Sequence, residues 1–408
     1  MTLAPMTLFP MSLAPMTLLA LAFVPAAIWA YLLVGRGGFW RCAERDDRVG
    51  LAAAGLSAWP DVVAIVPARD EAEVIARCIG SLLRQDYPGR LSIVLVDDQS
   101  TDGTARIAAE AAAAAGGADR LHIVGGTEPP RGWTGKLWAM RQGLAHVDAQ
   151  ASASALVLFT DADIAYAPSV LRRLVAIASA RATVLTSLMV KLRCTSAAER
   201  WLVPAFVFFF QMLYPFAWVN DPRRRTAAAA GGCMLVRRGA LAAAGGLERV
   251  RDALIDDCAL GALMKRQGPI WLGLTEDVHS LRAYPHVADI RRMVARSAYA
   301  ELRYSPLRLA GAAVGMAVTY LAPPLLALLA RGPAQAAGLL AWAMMAASFV
   351  PTLRLYGRSR VGALALPSIA AAYTAFTLDS ALEHVRGRGG HWKGRFQAKT
   401  RRGEARGT

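Results

Sequence analysis

The chain has 408 residues, of which 55% are hydrophobic, and its mean hydropathy is +0.33. This length allows one large domain with additional segments, and the hydropathy is high for a soluble enzyme, so membrane segments are expected. The net charge of +16 indicates nucleic acid, anionic lipid or a polyanionic substrate, and the apolar segments described below favour lipid over nucleic acid. Five widely spaced cysteines without a C-x-x-C pair argue against a disulfide framework or a zinc cluster.

Residues 1–36 predict an N-terminal membrane anchor. A short Met-Thr-Leu pattern repeats at the start and leaves the true start residue open between Met1, Met6, Met11 and Met16. Residues 17–34 are uncharged and apolar, and arginines follow from Arg36 onward. Because the charge comes after the apolar run, the pattern favours an uncleaved anchor whose C-terminal end faces the cytosol, rather than a signal peptide.

Residues 55–300 have the composition of a globular α/β domain. Residues 62–67 form a β-branched apolar run, an amphipathic pattern follows at residues 74–83, and a second apolar run ends at Asp97. This order predicts a strand–helix–strand unit and a mostly parallel, Rossmann-like sheet. Such sheets bind ligands at the carboxyl ends of their strands.

Carboxylates follow two of the predicted strands. Asp97 and Asp98 lead into a Ser/Thr/Asp/Gly turn, and Asp161 and Asp163 follow the apolar run at residues 156–159. A helix cap explains the turn but does not require two adjacent carboxylates before it, so we expect Asp97 and Asp98 to hydrogen-bond a nucleotide base or ribose. Asp161 and Asp163 lie on the same side of an extended segment, where they can hold Mg²⁺ or Mn²⁺.

Two further positions carry candidate chemistry. Lys136 ends a glycine-containing loop before a predicted helix and can meet a diphosphate there; a solvated lysine beside a turn is the alternative, and P-loop spacing is absent. Asp256 and Asp257 open another predicted helix, where the helix dipole alone favours acidic residues. A carboxylate at the edge of a site can also accept the proton of an acceptor hydroxyl.

Residues 201–219 are apolar and aromatic, but Pro204, Gln211 and Pro215 interrupt them. This pattern predicts a helix that lies in the membrane interface, with its aromatic side chains at headgroup depth. A buried core helix is the alternative.

The region 307–382 predicts C-terminal transmembrane helices, from apolar segments at residues 309–330, 334–350 and 361–378. If all three cross and the globular domain is cytosolic, the basic tail at residues 383–408 lies outside, against the positive-inside rule. An even number of crossings removes this conflict. The third segment contains Pro367 and is the candidate for a re-entrant or surface-lying piece.

A basic cluster precedes the first of these segments. It comprises Arg291, Arg292, Arg296 and Arg303. Such arginines are expected to lie among lipid headgroups, and an arginine that clamps a diphosphate is the alternative.

These motifs, in this order, resemble glycosyltransferase family 2. The resemblance covers residues 61–275 and comprises Val-Pro-Ala-Arg-Asp-Glu, Val-Asp-Asp-Gln-Ser-Thr-Asp-Gly-Thr, Gly-Lys-x-x-Ala, Thr-Asp-Ala-Asp, Gly-Gly-Cys-Met-Leu-Val-Arg-Arg and Asp-Asp-x-x-Leu. The membrane layout, the segment near Phe208 and the tail sequence Gly-His-Trp-Lys-Gly-Arg resemble its membrane-bound, hopanoid-associated branch, with carotenoid-type transferases as near neighbours. The resemblance implies a GT-A fold, a nucleotide-sugar donor such as a UDP-sugar, Mn²⁺ or Mg²⁺, and inversion at the anomeric carbon.

The resemblance also implies roles for individual residues. It assigns the nucleoside to Asp70, Glu71, Asp97 and Asp98, the diphosphate to Lys136, the ribose or metal to Asp161, the metal to Asp163, and the general base to Asp257. Two features depart from the family pattern. Asp256 replaces the usual Glu, and the Gln-x-x-Arg-Trp motif of processive polysaccharide synthases is missing, which favours transfer of a single sugar.

The predicted function is therefore transfer of one sugar from a nucleotide sugar to a lipid acceptor, in hopanoid biosynthesis. The expected location is the bacterial inner membrane, in a multi-pass protein whose catalytic domain faces the cytosol. A polyprenyl-phosphate or carotenoid acceptor is the enzymatic alternative, and a phosphate acceptor would need no general base. A non-catalytic membrane scaffold with a degenerate transferase fold is the second alternative, against which the intact Asp97, Asp163 and Asp257 argue.

Overall fold

The computed structural model describes residues 13–49, 56, 58–150, 155–386, 391–392 and 395–396. The repeated methionines Met1, Met6 and Met11 and most of the predicted basic tail lie outside these residues. The described chain contains a sheet flanked by helices, followed by long apolar helices.

Eight strands of the described residues form one sheet in the order β3-β2-β1-β4-β7-β6-β8-β5. The strands are β1 Val62–Ala68, β2 Leu91–Asp97, β3 Leu121–Gly125, β4 Leu156–Phe159, β5 Ile164–Tyr166, β6 Leu185–Lys191, β7 Met234–Arg237 and β8 Ile270–Ser280. The first four strands in this order are parallel, and β7 enters antiparallel between β4 and β6. A separate short pair joins β9 His391–Trp392 to β10 Arg395–Phe396. The predicted α/β fold with a mostly parallel sheet is confirmed.

Helices cover both faces of the sheet. They are α2 Ile75–Leu83, α3 Thr104–Ala114, α4 Gly135–Ala149, α5 Val170–Ala180, α6 Ala197–Leu213, α7 Phe216–Asn220, α8 Arg238–Ala243, α9 Asp256–Lys265, α10 Val287–Ala295 and α11 Ala298–Glu301. Residues of β1 alternate between two cores, as side chains of a strand must. Val63 and Ile65 pack with α4 and α6, whereas Val62 and Ala64 pack with α2 and α5.

Strand register brings the predicted site loops together. Ala68 pairs with Asp97, and Ile65 pairs with Phe159, so β2, β1 and β4 end at the same edge. Thr160 N donates to Ile65 O at 3.2 Å and continues this alignment past the end of β4. The carboxylates that follow these strands therefore lie at one edge of the sheet.

The long apolar helices pack on the side of the sheet that carries α4 and α6. They are α1 Leu13–Val34, α12 Pro306–Met316, α13 Ala322–Leu329, α14 Gly332–Leu355 and α15 Leu366–Val385, and a π-helical turn at Ala317–Leu321 joins α12 to α13. Three C-terminal spans, Pro306–Leu329, Gly332–Leu355 and Arg360–Val385, are long and apolar enough to cross a membrane. The helix α1 packs along α14, and Trp29 Nε1 donates to Thr319 O at 2.8 Å.

The aromatic segment predicted to lie in the membrane interface forms α6 and α7 instead of one helix, because Pro215 ends the first helix region. A capping box of Ser196 and Glu199 starts α6. Phe208 is fully buried against Phe349 of α14 at a ring separation of 5.2 Å. For Phe208, this placement favours the alternative of a buried helix, because the apolar surface of α14 covers its side chain. The interfacial position of residues 201–219 as a whole stays a prediction.

The third C-terminal segment returns to the catalytic domain. After α14, the Tyr356 ring lies 5.9 Å from Lys191 Nζ at the end of β6. The chain then runs back along α14, where Trp342 Nε1 donates to Leu364 O at 3.4 Å. At the other end, Tyr299 N donates to Ser380 Oγ at 3.0 Å. Both ends of this segment therefore contact the domain side of the helical layer.

Pro367 does not interrupt this third segment. It lies in the first turn of α15, where the missing proline N–H would have no partner in any case. The predicted interruption of the segment at Pro367 is therefore wrong, because α15 begins at Leu366 and continues unbroken to Val385.

Candidate active site

Hydrogen bonds join the turn after β2 to the loop after β1. Asp70 Oδ1 accepts a hydrogen bond from Thr101 N at 2.8 Å, and Asp102 Oδ2 accepts one from Ala72 N at 2.9 Å. Asp102 and its neighbours thus provide the turn and cap chemistry that the sequence predicts. These hydrogen bonds hold the two loops side by side at the carboxyl edge of the sheet.

The residues assigned to the nucleoside differ in their exposure. Asp97 is partly exposed and Asp98 is only 1% exposed, with Arg69 Nη1 at 3.8 Å from Asp98 Oδ2. Arg69 Nη1 also donates to the Asp98 carbonyl at 2.6 Å. The contacts between Asp98 and Arg69 therefore connect the loop after β2 to the loop after β1 beneath the surface. Asp70, Glu71 and Asp97 lie at the exposed edge of the sheet.

Lys136 meets two of the predicted carboxylates. Its position is fixed because Thr134 caps α4 and accepts a hydrogen bond from Leu137 N at 3.4 Å. Lys136 Nζ lies 2.8 Å from Asp161 Oδ1 and 3.1 Å from Asp256 Oδ2. Burial alone would lower the pKa of Lys136, but the two carboxylates outweigh it and raise this pKa, so the ammonium stays charged.

Asp257 lies beside Lys136 at the start of α9. Asp257 Oδ2 accepts a hydrogen bond from Gly231 N at 2.9 Å, and a Cβ at position 231 would approach Lys136 Nζ to 3.3 Å. Glycine therefore allows the backbone to approach both charged groups. Burial and the neighbouring Asp256 carboxylate raise the pKa of Asp257 to about 6.

Arg282 belongs to the site, although no sequence motif indicates a role for it. Its Nε lies 2.7 Å from Asp163 Oδ2, and its Nη2 lies 2.7 Å from Glu71 Oε1. The sequence signal is a basic residue two positions after the end of β8. That signal is weak, because only the pairing of β8 with β5 places Arg282 beside a carboxylate 119 residues earlier in the chain.

A cavity of about 490 Å³ joins this charged cluster to the apolar helices. Lys136, Asp161, Asp163, Asp256 and Asp257 line its charged part. The apolar part is lined by side chains of α6, α12 and α15: Phe206, Phe209, Phe210, Met212, Leu213, Leu309, Ala312, Ala313, Met316, Tyr373 and Leu378. The site is thus continuous with the layer of long apolar helices.

The carboxylates suit a hard cation that also binds a phosphate ligand. Among the described residues, no group of three His, Cys, Asp or Glu side chains has metal-site geometry. Asp161 and Asp163 nevertheless offer oxygen atoms, and Mg²⁺ typically takes only one or two protein carboxylates, with phosphate and water completing its shell. The residues present therefore fit a divalent cation that binds together with a diphosphate.

The sequence matches the family model described as "Glycosyltransferase like family 2" over residues 60–271. The chain belongs to this family of glycosyltransferases. No match is found among curated proteins.

Two solved structures illustrate the similarity of this chain to known proteins. The mannosyltransferase PcManGT from Pyrobaculum calidifontis, in complex with GDP-Man and Mn²⁺, is 20% identical, with a TM-score of 0.53 over 91% of this chain and 99% of that chain. The glucosyl-3-phosphoglycerate synthase from Mycobacterium tuberculosis, in complex with Mg²⁺ and uridine diphosphate, is 19% identical, with a TM-score of 0.37 over 60% of this chain and 77% of that chain. At such identities the first similarity shows the fold alone, which is GT-A-like.

Proposed function

We propose that the protein is a membrane-bound, inverting glycosyltransferase that moves one sugar from a nucleotide sugar to a lipid acceptor. The observation that supports this proposal is the cavity that runs from Lys136 and Asp257 to α6, α12 and α15. An amphiphilic acceptor fits this shape, with its reacting hydroxyl at the carboxylates and its apolar body between the helices. The family resemblance suggests a hopanoid as the acceptor class and the bacterial inner membrane as the location.

Lys136 and Asp257 have different roles in the proposed reaction. Lys136 is a fixed positive charge beside Asp161 and stabilises the negative charge that develops on the leaving diphosphate. Asp257 accepts the proton of the acceptor hydroxyl, which attacks the anomeric carbon from the face opposite the diphosphate. A divalent cation at Asp161 and Asp163 would supply further stabilisation of the leaving group.

The lipid route can be tested by filling the apolar part of the cavity. Ala313 lines it, whereas Ala310 is on the same helix but exposed and outside it. We expect Ala313→Phe to lower the transfer of radiolabelled sugar into the organic extract of membranes by roughly tenfold or more, because the ring occupies the acceptor's path. Binding of the nucleotide sugar should stay unchanged, because the donor does not use this part of the cavity.

Ala310→Phe is the matched control and should transfer sugar like the unchanged protein. Equal lipid labelling by Ala313→Phe and Ala310→Phe would show that the acceptor does not pass between α6 and α12. A protein that binds no nucleotide sugar in the presence of Mn²⁺ would instead support the alternative of a non-catalytic scaffold.

A polyprenyl-phosphate acceptor is the second candidate, and Arg296 favours it. Arg296 lines the cavity and forms no ion pair with another described residue. Its guanidinium can bind a phosphate that enters from the apolar part. Glu301, also in the cavity, accepts a hydrogen bond from Tyr214 Oη and adds negative charge there, which favours a neutral acceptor instead.

A further inference from the structure

Arg282 connects two halves of the site that have different predicted partners. Glu71 belongs to the loop edge assigned to the nucleoside, and Asp163 is the predicted metal ligand. The two carboxylates are 11% and 13% exposed, and the guanidinium between them is 36% exposed. Because Arg282 contacts both carboxylates, a diphosphate that joined a nucleoside at Glu71 to a metal at Asp163 would come close to its guanidinium.

The guanidinium neutralises carboxylates that would otherwise repel each other. Two poorly solvated acids near one another need a cation, and an arginine satisfies both with its fixed, forked donors. A divalent cation at Asp163 would satisfy the same need. A divalent cation held by Asp163 would repel the guanidinium that contacts the same carboxylate, so each positive group would weaken the binding of the other.

We propose that Arg282 is a positioning residue that holds Asp163 before the metal arrives and then exchanges this carboxylate for the donor diphosphate. This inference rests on the proposed function, because it requires a metal and a nucleotide-sugar donor. In the free protein, Arg282 keeps Asp163 and Glu71 in place. When the cation takes Asp163, the guanidinium turns to the incoming diphosphate, whose negative charge compensates for the lost carboxylate.

The backbone next to Arg282 supports a movement of the side chain alone. Leu281 N donates to Asp163 O at 2.7 Å, so the main chain at this point is tied to the metal-ligand loop. The end of β8 is held by the pairing of Ser280 with Ile164. A partly exposed arginine side chain on this fixed backbone can change its partner without a movement of the sheet.

Binding of Mn²⁺ alone, measured by electron paramagnetic resonance on the purified full chain, tests the competition. Arg282→Met removes the competing cation and should bind Mn²⁺ roughly tenfold more tightly than the unchanged protein when no nucleotide is present. In the presence of Mn²⁺, the same variant should bind uridine or guanosine diphosphate roughly tenfold more weakly, because the diphosphate loses its guanidinium partner. Arg282→Lys keeps the charge without the forked bridge and should bind Mn²⁺ with an intermediate affinity.

Arg45→Met is the matched control, because Arg45 also bridges two carboxylates, with 3.0 Å to Asp47 and 2.6 Å to Glu276, and neither of these is a predicted nucleoside or metal ligand. It should leave both affinities unchanged. Equal or weaker Mn²⁺ binding by Arg282→Met and Arg282→Lys would overturn this inference and leave the proposed function intact. If no form of the protein binds Mn²⁺, both the inference and the metal-dependent part of the proposed function fail.

Discussion

At the scale of single residues, the environment of Asp257 suits a proton acceptor. Burial and the charge of Asp256 raise its pKa to about 6, and the ammonium of Lys136 opposes this rise. A carboxylate with this pKa is mostly ionised at pH 7, yet it is a stronger base than an ordinary aspartate. It can therefore take a proton from a hydroxyl and still be ready for the next reaction at neutral pH.

This environment predicts a specific pH dependence of sugar transfer. The value of kcat/KM should rise as the pH increases through about 6 and then level off, because only the ionised form of Asp257 accepts a proton. Asp257→Asn should lower transfer to a hydroxyl acceptor by a factor of roughly 10² to 10⁴. Measurement of sugar transfer between pH 5 and about 8 checks both statements.

Asp148→Asn is a suitable control, because Asp148 is exposed and pairs with Arg238 outside the cavity. It should keep the rate and the pH profile of the unchanged protein. Full transfer by Asp257→Asn would mean that the acceptor is already anionic, as a polyprenyl phosphate is, and would reject a hydroxyl acceptor.

The sequence predicts most of the charged cluster because the carboxyl ends of parallel strands share one edge. Lys136 and Asp161, to which the resemblance assigns the diphosphate and the ribose or metal, lie 2.8 Å apart. The burial of Asp98 and the position of Arg282 could not be predicted in this way. Both depend on contacts between segments far apart in the chain, and no local periodicity records such contacts.

At the scale of secondary-structure elements, α9 is placed by a close contact with the segment before β7. A Cβ at Gly261 would lie 2.8 Å from Ala228 C and 3.0 Å from Ala229 N. These are backbone atoms and cannot move aside as the end of a flexible side chain can. Because α9 carries Asp257 in its first turn, this contact also sets the position of the proposed base.

Gly261→Ala should therefore lower the free energy of unfolding by roughly 1–3 kcal/mol, as overpacking of a tight contact does, and should also reduce sugar transfer. Gly239→Ala is the matched control, since Gly239 is also helical but has no atom within 4 Å of the position of a Cβ. It should leave stability unchanged or raise it by up to about 1 kcal/mol, because alanine favours the helix. Thermal unfolding of the purified variants in detergent compares the two, and equal effects would contradict the proposed role of the contact.

The helices and strands of the catalytic domain could largely be predicted, because residues 62–97 contain two continuous apolar runs of strand length on either side of an amphipathic helix pattern. The placement of α6 could not. Its apolar and aromatic composition suits either a membrane surface or a protein core, and no local pattern records the long-range contact of Phe208 with Phe349 of α14.

At the scale of the whole molecule, the C-terminal ends of α1 and α14 carry basic residues on the same side of the helical layer. Arg36 follows α1 and donates to Met212 O at 3.0 Å, at the end of α6. Arg354 lies in the last turn of α14, near Tyr356 and the end of β6. These basic ends of α1 and α14 lie on the side of the catalytic domain, as the positive-inside rule requires of a cytosolic domain.

The path of the third C-terminal segment removes the conflict with the positive-inside rule that a third membrane crossing would create. A helix of 20 residues is about 30 Å long, which is enough to cross the hydrocarbon core. However, the segment leaves the domain side at Tyr356 and returns to it where the His384 ring stacks on Tyr304 at 4.4 Å. Arg291 also donates to Asp379 of α15. We therefore expect Arg360–Val385 to enter the membrane without crossing it, so that the C-terminal tail lies on the same side as the catalytic domain.

Reporter fusions in a bacterial host check this topology. A green fluorescent protein fused after residue 386 should fluoresce, because it stays in the cytosol with the catalytic domain, and alkaline phosphatase at the same point should be inactive. The control is a fusion after Arg331, between α13 and α14. If Pro306–Leu329 crosses the membrane, this point lies on the side opposite the catalytic domain, so alkaline phosphatase should be active there and green fluorescent protein should not fluoresce. The opposite result at residue 386, with the control as expected, would mean that α15 crosses the membrane and that the basic tail lies outside. The positive-inside rule makes the cytosolic result the expected one, since the tail from Arg386 onward carries a strong excess of Lys and Arg.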